Sequence, residues 1–155
     1  MGMTVRYLER STPKVLLRLW IGGRGPDERE LADSELVVEW AGRSGHPTSY
    51  ALIGGVRRGE QSSLAVPAGG PPYAASLVGR ADTVTFGLPD SYRSVVIEMI
   101  DSAERPIEVT IAAHGMAGSS AMAFRRLTAF LVNTLDIDVD TAAEDEIWGE
   151  WDRAQ

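Results

Sequence analysis

The sequence predicts an α+β protein, a two-layer sandwich in which two helices cover one face of a mainly antiparallel sheet. Three observations predict it. The first half of the chain alternates apolar and polar residues in short runs broken by glycine and proline. Two later segments change to apolar spacings of three and four, and one more alternating run lies between them. The order is therefore strands, helix, strand, helix. A length of 155 residues suits a single core.

Val15, Leu17, Leu19 and Ile21 alternate with Leu16, Arg18 and Trp20, which makes 15–21 a partly two-sided strand. Gly22, Gly23, Gly25 and Pro26 break it. The next strand covers 36–41 and closes at Gly42 and the Ser44-Gly45-His46-Pro47 loop. A further strand runs over 49–56, ended by Gly59, and a short one over 63–66. Ala68-Gly69-Gly70-Pro71-Pro72 is a loop, and 84–86 is the last strand of this half. Pro89 suits the first turn of a helix, where its missing N–H has no partner in any case. Tyr92, Val95, Val96, Met99, Ile100 and Ala103 form the apolar stripe of that helix, with Glu98, Asp101 and Glu104 off it. Pro106 ends it.

The strand 107–113 places Ile107, Val109, Ile111 and Ala113 on one face and Glu108 and Thr110 on the other. Gly115 and Gly118 bracket a turn. Ser119 or Ser120 can cap the helix 120–135 by accepting a hydrogen bond from its free N–H groups. Phe124, Leu127, Phe130, Leu131 and Leu135 are its buried stripe. The two helices cover one sheet face. The other is either solvated or used by a partner, and the two-sided strands 15–21 and 36–41 imply that it is not fully bare. A homo-oligomer built on this open face would bury Trp20 and Trp40 between chains.

Charge divides the chain into a domain, 1–135, and an acidic, tryptophan-containing tail, 136–155. Of 22 acidic and 15 basic residues, eight acidic and one basic fall in 136–155, which leaves 14 of each in the body. Nucleic-acid binders show the opposite pattern, a clustered basic face, so tight binding of free nucleic acid is not expected. If RNA is touched, Arg24, Arg57, Arg58, Arg125 and Arg126 are the candidates, because phosphate contacts need cations. The tail carries Ile147, Trp148 and Trp151 at helical spacing among carboxylates. This patch either docks on the protein's own body or engages a basic partner.

With no cysteine, disulfides and thiolate metal sites are excluded. His46 and His114 are the two imidazoles. Asp136, Asp138 and Asp140 have the one-three-five spacing of a calcium loop, but Thr141 and Ile147 stand where that loop needs glycine and glutamate. No metal and no cofactor are expected. Gly22-Gly23-Arg24-Gly25 lacks the lysine and helix of a phosphate cradle and reads as a hairpin turn. No run of eighteen apolar residues spans a membrane, and the first residues lack the apolar stretch of a signal peptide, so a cytoplasmic protein is expected.

The stretch His114 to Phe124, HGMAGSSAMAF, stands where strand hands over to helix. His114 with Ser119 or Ser120 can form a base and nucleophile across a glycine turn, provided they are in hydrogen-bond reach and an acid orients the histidine. No Gly-x-Ser-x-Gly elbow is present and no particular acid suggests itself. The helix N-terminus, with Gly115, can instead hold an anion. A serine cap beside a turn histidine explains the same residue types.

Two motifs carry a family resemblance. Gly87-Leu88-Pro89-Asp90-Ser91-Tyr92, followed by Val95 and Val96, is similar to the Gly-x-Pro-x-x-Tyr-x-x-x-Val segment of domain IV of translation elongation factor G. His114, then Ser119-Ser120, then Ala123-Phe124 resembles that domain's His-x-x-x-Ser-Ser-x-x-Ala-Phe. Val5-Arg6-Tyr7-Leu8-Glu9-Arg10 echoes its Val-x-Tyr-x-Glu opening, shared with related ribosomal protection proteins. Gly118 replaces the family's aspartate, and the turn after His114 is one residue longer. No GTP-binding loop of the Gly-x-x-x-x-Gly-Lys type occurs, so the likeness is to a stand-alone domain. The resemblance implies the sandwich fold, a left-handed strand-helix-strand crossover against the usual preference, and contact with the ribosome.

Together these readings make the protein a non-enzymatic interaction domain. Its partner is expected to be another protein or a ribonucleoprotein, the ribosome among them. The residues expected to bind are His114, Gly115, Ser119, Ser120, Arg125, Arg126, Trp148 and Trp151. The alternative is a small-molecule binder or hydrolase using His114, Ser119 and Ser120.

Overall fold

Antiparallel hairpins build the first half of the molecule. A computed structural model describes residues 5–43 and 48–155, so the predicted loop containing His46 lies outside the described residues. The strands are β1 (Val5–Ser11), β2 (Lys14–Trp20), β3 (Leu36–Arg43), β4 (Ser49–Val56), β5 (Ser63–Leu64), β6 (Val84–Phe86) and β7 (Glu108–Gly115). The helices are α1 (Asp90–Asp101), α2 (Ala121–Thr134) and α3 (Glu144–Arg153). One sheet holds all the strands in the order β1-β2-β3-β4-β7-β5. Neighbours from β1 to β4, and β4 with β7, are antiparallel. The far edge of β7 is shared. Glu108 and Val109 take β5 in parallel, and Ala113 to Gly115 take β6 antiparallel. The architecture is the predicted α+β sandwich with a mostly antiparallel sheet, but it has three helices rather than two. Among the described residues no helix is long and apolar enough to cross a membrane.

The strand directly before α1 is β6, and it is an antiparallel neighbour of β7. The parallel neighbour of β7 is β5, and the connection from β5 to β7 passes through β6 and α1.

A bulge corrects the predicted faces of β7. Gly55 pairs with Val109 and Gly54 with Ile111, which leaves Thr110 as an extra residue in the ladder. An inserted residue reverses the side-chain alternation beyond it. Ile107 and Val109 accordingly lie in the helix-side core, whereas Ile111 and Ala113 face the opposite core.

That second core corrects the open sheet face. Trp20, Val37, Tyr50, Leu52, Ile111 and Ala113 are covered by Leu31 from the segment 21–35 and by Tyr73 and Val78 from the segment 65–83. Trp20 is 6% exposed beneath these loops. Trp40 lies on the other face, edge-on to Trp151 with ring centroids 4.9 Å apart. Trp20 lies under the chain's own loops and Trp40 is half-buried on the helix side, so the two do not share one open sheet face.

Buried charges fix those loops. Glu39 is fully buried. Its carboxylate accepts from Arg18 Nε at 2.8 Å, Tyr50 Oη at 2.7 Å and the Leu77 N–H at 3.0 Å. Arg18 also donates to Tyr73 Oη and to the Ala75 carbonyl. Burial raises the Glu39 carboxyl above its ordinary range, with Arg18 and Tyr50 acting against that rise. It also raises the Tyr50 and Tyr73 hydroxyls. Glu35 accepts from Arg29 Nη2 at 2.6 Å, from Thr110 Oγ1 at 2.7 Å and from the Ala32 N–H at 2.9 Å. The bulge residue thus anchors the 21–35 segment.

Burial alone would raise Glu35, but these bonds outweigh it and hold the carboxyl below its ordinary 4.5. The folded-state pKa is depressed, so this contribution is present above the unfolded value and is lost as pH falls through the lower folded value. Urea melts at a series of acidic pH values should show a shallower loss of stability below about pH 4.5 for Glu35→Gln than for the wild type.

The acidic tail is held to the body. Ile147 and Trp151 are fully buried in the helix-side core. Trp151 also meets Phe130 edge-on at 5.5 Å. Arg10 pairs with Asp152 at 2.8 Å and lies over the Trp148 ring at 4.3 Å. Arg6 Nη1 donates to the carbonyls of Val139 and Ala142. Of the two alternatives for this segment, docking on the protein's own body is the one realised.

Candidate functional site

His114 and Gly115 are the last residues of β7, and the turn proper follows them. His114 is half-buried, with Nδ1 3.0 Å from the Gly87 carbonyl, so the tautomer carrying the proton on Nδ1 donates there. Gly87 has φ +121°, and a side chain on it would meet Gly69 and Ala68 within 3 Å, so this approach needs glycine. Ser119 Oγ donates to the Tyr50 carbonyl at 2.7 Å and accepts from the Gly115 N–H at 2.8 Å. Ser120 is the N-cap of α2 and accepts from the Ala123 N–H at 3.1 Å. Both hydroxyls are committed to the backbone, and among the described residues neither is bonded to His114.

An anion does sit in the turn, and it is the protein's own. Asp82 accepts from the N–H groups of Ala117 at 2.9 Å and Gly118 at 2.8 Å. A Cβ at Gly118 would collide with the Thr48 carbonyl, and one at Gly115 with the Asp82 carboxylate. These glycines are explained by that close packing. The turn brings His114, Gly115, Ser119 and Ser120 together as a strand-to-helix joint, without a base–nucleophile pair. Ser120→Ala should cost about 1 kcal/mol, the usual value of a lost N-cap, as read by denaturant melts.

The open feature nearby is a groove of about 580 Å³ running over α2. Met122, Arg125, Arg126, Ala129 and Asn133 supply its α2 side, which is the helix stripe opposite the core. Met99 of α1 lies on one flank and Arg153 to Gln155, at the end of α3, on the other. Trp40 and Ser49 close it towards the sheet. Three arginines line it and no acidic side chain does, among the described residues.

Those arginines are not equivalent. Arg125 pairs with Glu98 at 3.2 Å, and Arg153 pairs with Glu150. Arg126 has no carboxylate partner among the described residues. Its Nη2 donates to the Trp151 carbonyl at 3.3 Å, and its guanidinium lies 3.9 Å from the Trp151 ring centroid. Burial draws its pKa below the ordinary guanidinium value. The nearby Asp152 carboxylate acts against that fall without bonding to the guanidinium, and a charge taken partly out of water without a direct ion pair is costly unless something compensates it. The indole face compensates it in part, since an aromatic ring attracts a cation.

Of the remaining predicted cations, Arg24 is 70% exposed with Glu28 at 3.9 Å, and Arg57 and Arg58 are paired. Arg57 pairs with Asp136 at 2.8 Å and bonds the Arg105 carbonyl. Arg58 pairs with Glu108 at 2.7 Å. Arg57 also reaches Val132 near the C-terminal end of α2, the end away from Arg125 and Arg126. The five arginines proposed from sequence therefore form no single face. Asp136 is taken by Arg57 and Arg105, and Asp138 accepts from the Asp140 N–H. No group of three or more metal-ligating side chains is assembled among the described residues.

Of the eight predicted binding residues, Ser120, Arg125 and Arg126 border the groove. Trp151 lies beneath Arg126 as a core residue, and Trp148 is covered in part by Arg10. Sequence reasoning missed Met99, Met122 and Arg153. Met122 left a readable signal, since it is a large apolar residue off the buried stripe of its helix. It is 74% exposed. Comparison with protein-family models, curated proteins and solved structures finds no match to this chain.

Proposed function

We propose that this protein is a non-enzymatic interaction domain of the cytoplasm, and that it engages a protein or ribonucleoprotein partner through the groove over α2. The observation that carries this reading is Arg126. It is a half-buried cation with no carboxylate of its own, beside an arginine-lined groove with an apolar floor. The turn that resembles elongation factor G domain IV supports it from the other side. Its serines are caps and braces, and its anion-holding N–H groups are filled by Asp82.

The reading is tested on wild type, His114→Ala and Arg126→Gln. None is expected to hydrolyse p-nitrophenyl acetate or p-nitrophenyl phosphate above background. A turnover that disappears with His114 overturns the non-enzymatic assignment. The same proteins are sedimented with purified ribosomal subunits at low and moderate salt. Salt-sensitive binding to the small subunit, lost in Arg126→Gln, identifies the ribosome as the partner. Its absence removes the ribosome as the partner.

A further inference from the structure

Resting on that reading of the groove, we infer that its occupant is an acidic segment of a protein partner, laid along α2 as an amphipathic helix. The charge distribution gives the first argument. The chain carries a net charge of −7, yet three arginines and no acidic side chain line the groove, among the described residues. In so acidic a protein such a concentration of cations marks a surface kept for opposite charge. Two of the three are held by Glu98 and Glu150, both on flanking helices, and an incoming carboxylate can exchange with either. Arg126 has no ion pair to exchange, its guanidinium being held by the Trp151 carbonyl and ring.

The shape gives the second argument. From Met122 to Asn133 the groove follows α2 for about 16 Å, at 1.5 Å per residue, which matches three turns of a docked helix. Its floor is apolar and adaptable, with Met99, Met122 and Ala129 placed to receive the apolar stripe of such a helix. Methionine surfaces of this kind suit helix-in-groove recognition.

The molecule already contains one example of the chemistry. α3 is an acidic helix with Ile147, Trp148 and Trp151, and it is held on the same body by Arg10 and by Arg126 over Trp151. A nucleic acid fits less well. Single-stranded nucleic acid binds largely by stacking its bases on free aromatic rings. Here the ring that lines the groove, Trp40, is packed against Trp151.

Isotope-labelled protein is titrated with three probes, and amide shifts are mapped. One is a synthetic amphipathic helical peptide of Glu, Leu and Ala. The second is the same peptide with Lys for Glu. The third is a single-stranded oligouridylate. The acidic peptide should shift the amides of 122–133 and 153–155. It should bind about tenfold or more tightly than the Lys version, and more weakly as salt rises. Arg126→Gln and Met122→Glu should each weaken it about tenfold. Met122 is largely exposed, so Met122→Glu keeps the fold, which an unchanged thermal melt verifies. If the Lys peptide or the oligouridylate shifts the groove and the acidic peptide does not, the acidic occupant is overturned while the groove stands. If no probe shifts groove amides, both are overturned. Equal affinity of the acidic peptide for wild type and Met122→Glu also overturns the inference.

Discussion

Trp151→Ala should destabilise the protein by about 3–5 kcal/mol, the range for removing a buried tryptophan, and lower its melting temperature on the order of 10 °C. Trp151 is fully buried and stands edge-on to both Trp40 and Phe130. It also carries the guanidinium of Arg126 on its face. Truncation leaves a cavity between α2, α3 and β3 and takes away the ring that offsets a half-buried cation. Trp151→Phe keeps an aromatic face and should recover more than half of the loss. Denaturant melts of the two variants decide it. A Trp151→Ala protein within about 1 kcal/mol of wild type would mean that the acidic segment is not part of the cooperative core. The prediction matters for the groove too, because Arg153 to Gln155 form one of its flanks only while α3 is docked.

The elements with strong periodicity were legible in the chain. α1 and α2 announced themselves by apolar stripes, Pro89 and Ser120. Three features were not legible, and each has a physical reason. β1 has one buried residue, Leu8, so it carries no alternating stripe to read, and its place as an edge strand comes from pairing with β2. The bulge at Thr110 is invisible to a period-two reading, since Ile107, Val109, Ile111 and Ala113 alternate without interruption along the sequence while the ladder slips beneath them. The second core needs Leu31, Tyr73 and Val78, which come from glycine- and proline-rich segments that read as loops. The two-sided strands did signal that something covers that face. They could not say that it is the chain itself.

The candidate site followed the same division. Ser120 as a helix cap is a local property and could be read from residue types alone. Asp82 is 36 residues from Gly118 and fills the turn only through the tertiary fold. The groove depends on three helices meeting, with Met99 and Arg153 contributed from segments that do not adjoin α2 in sequence. Arg126 was singled out as a cation. What distinguishes it, a guanidinium with no bonded carboxylate that lies on a buried indole, is a fact about neighbours brought from 25 residues away.

Glu39→Ala should be as damaging as any surface-preserving change in the molecule, at about 3–5 kcal/mol, because it removes one partner of a buried ion pair. Arg18 would remain largely buried, with 17% of its side chain exposed, and the Tyr50 hydroxyl and Leu77 N–H would lose their acceptor. Glu39→Gln keeps one acceptor oxygen and should cost less. Adding Arg18→Met to Glu39→Ala removes the stranded cation, so the double variant should be less damaged than the sum of the singles by about 1–3 kcal/mol. Additive losses in that cycle would show that the two charges are not coupled. The pH sign is opposite to that of Glu35. Burial sets the folded-state pKa of Glu39 above its unfolded value of 4.5, so protonation favours the folded form. Relative to Glu39→Gln, the wild type should lose stability as pH rises from about 4.5 through that higher value, the mirror image of the loss that Glu35 produces as pH falls.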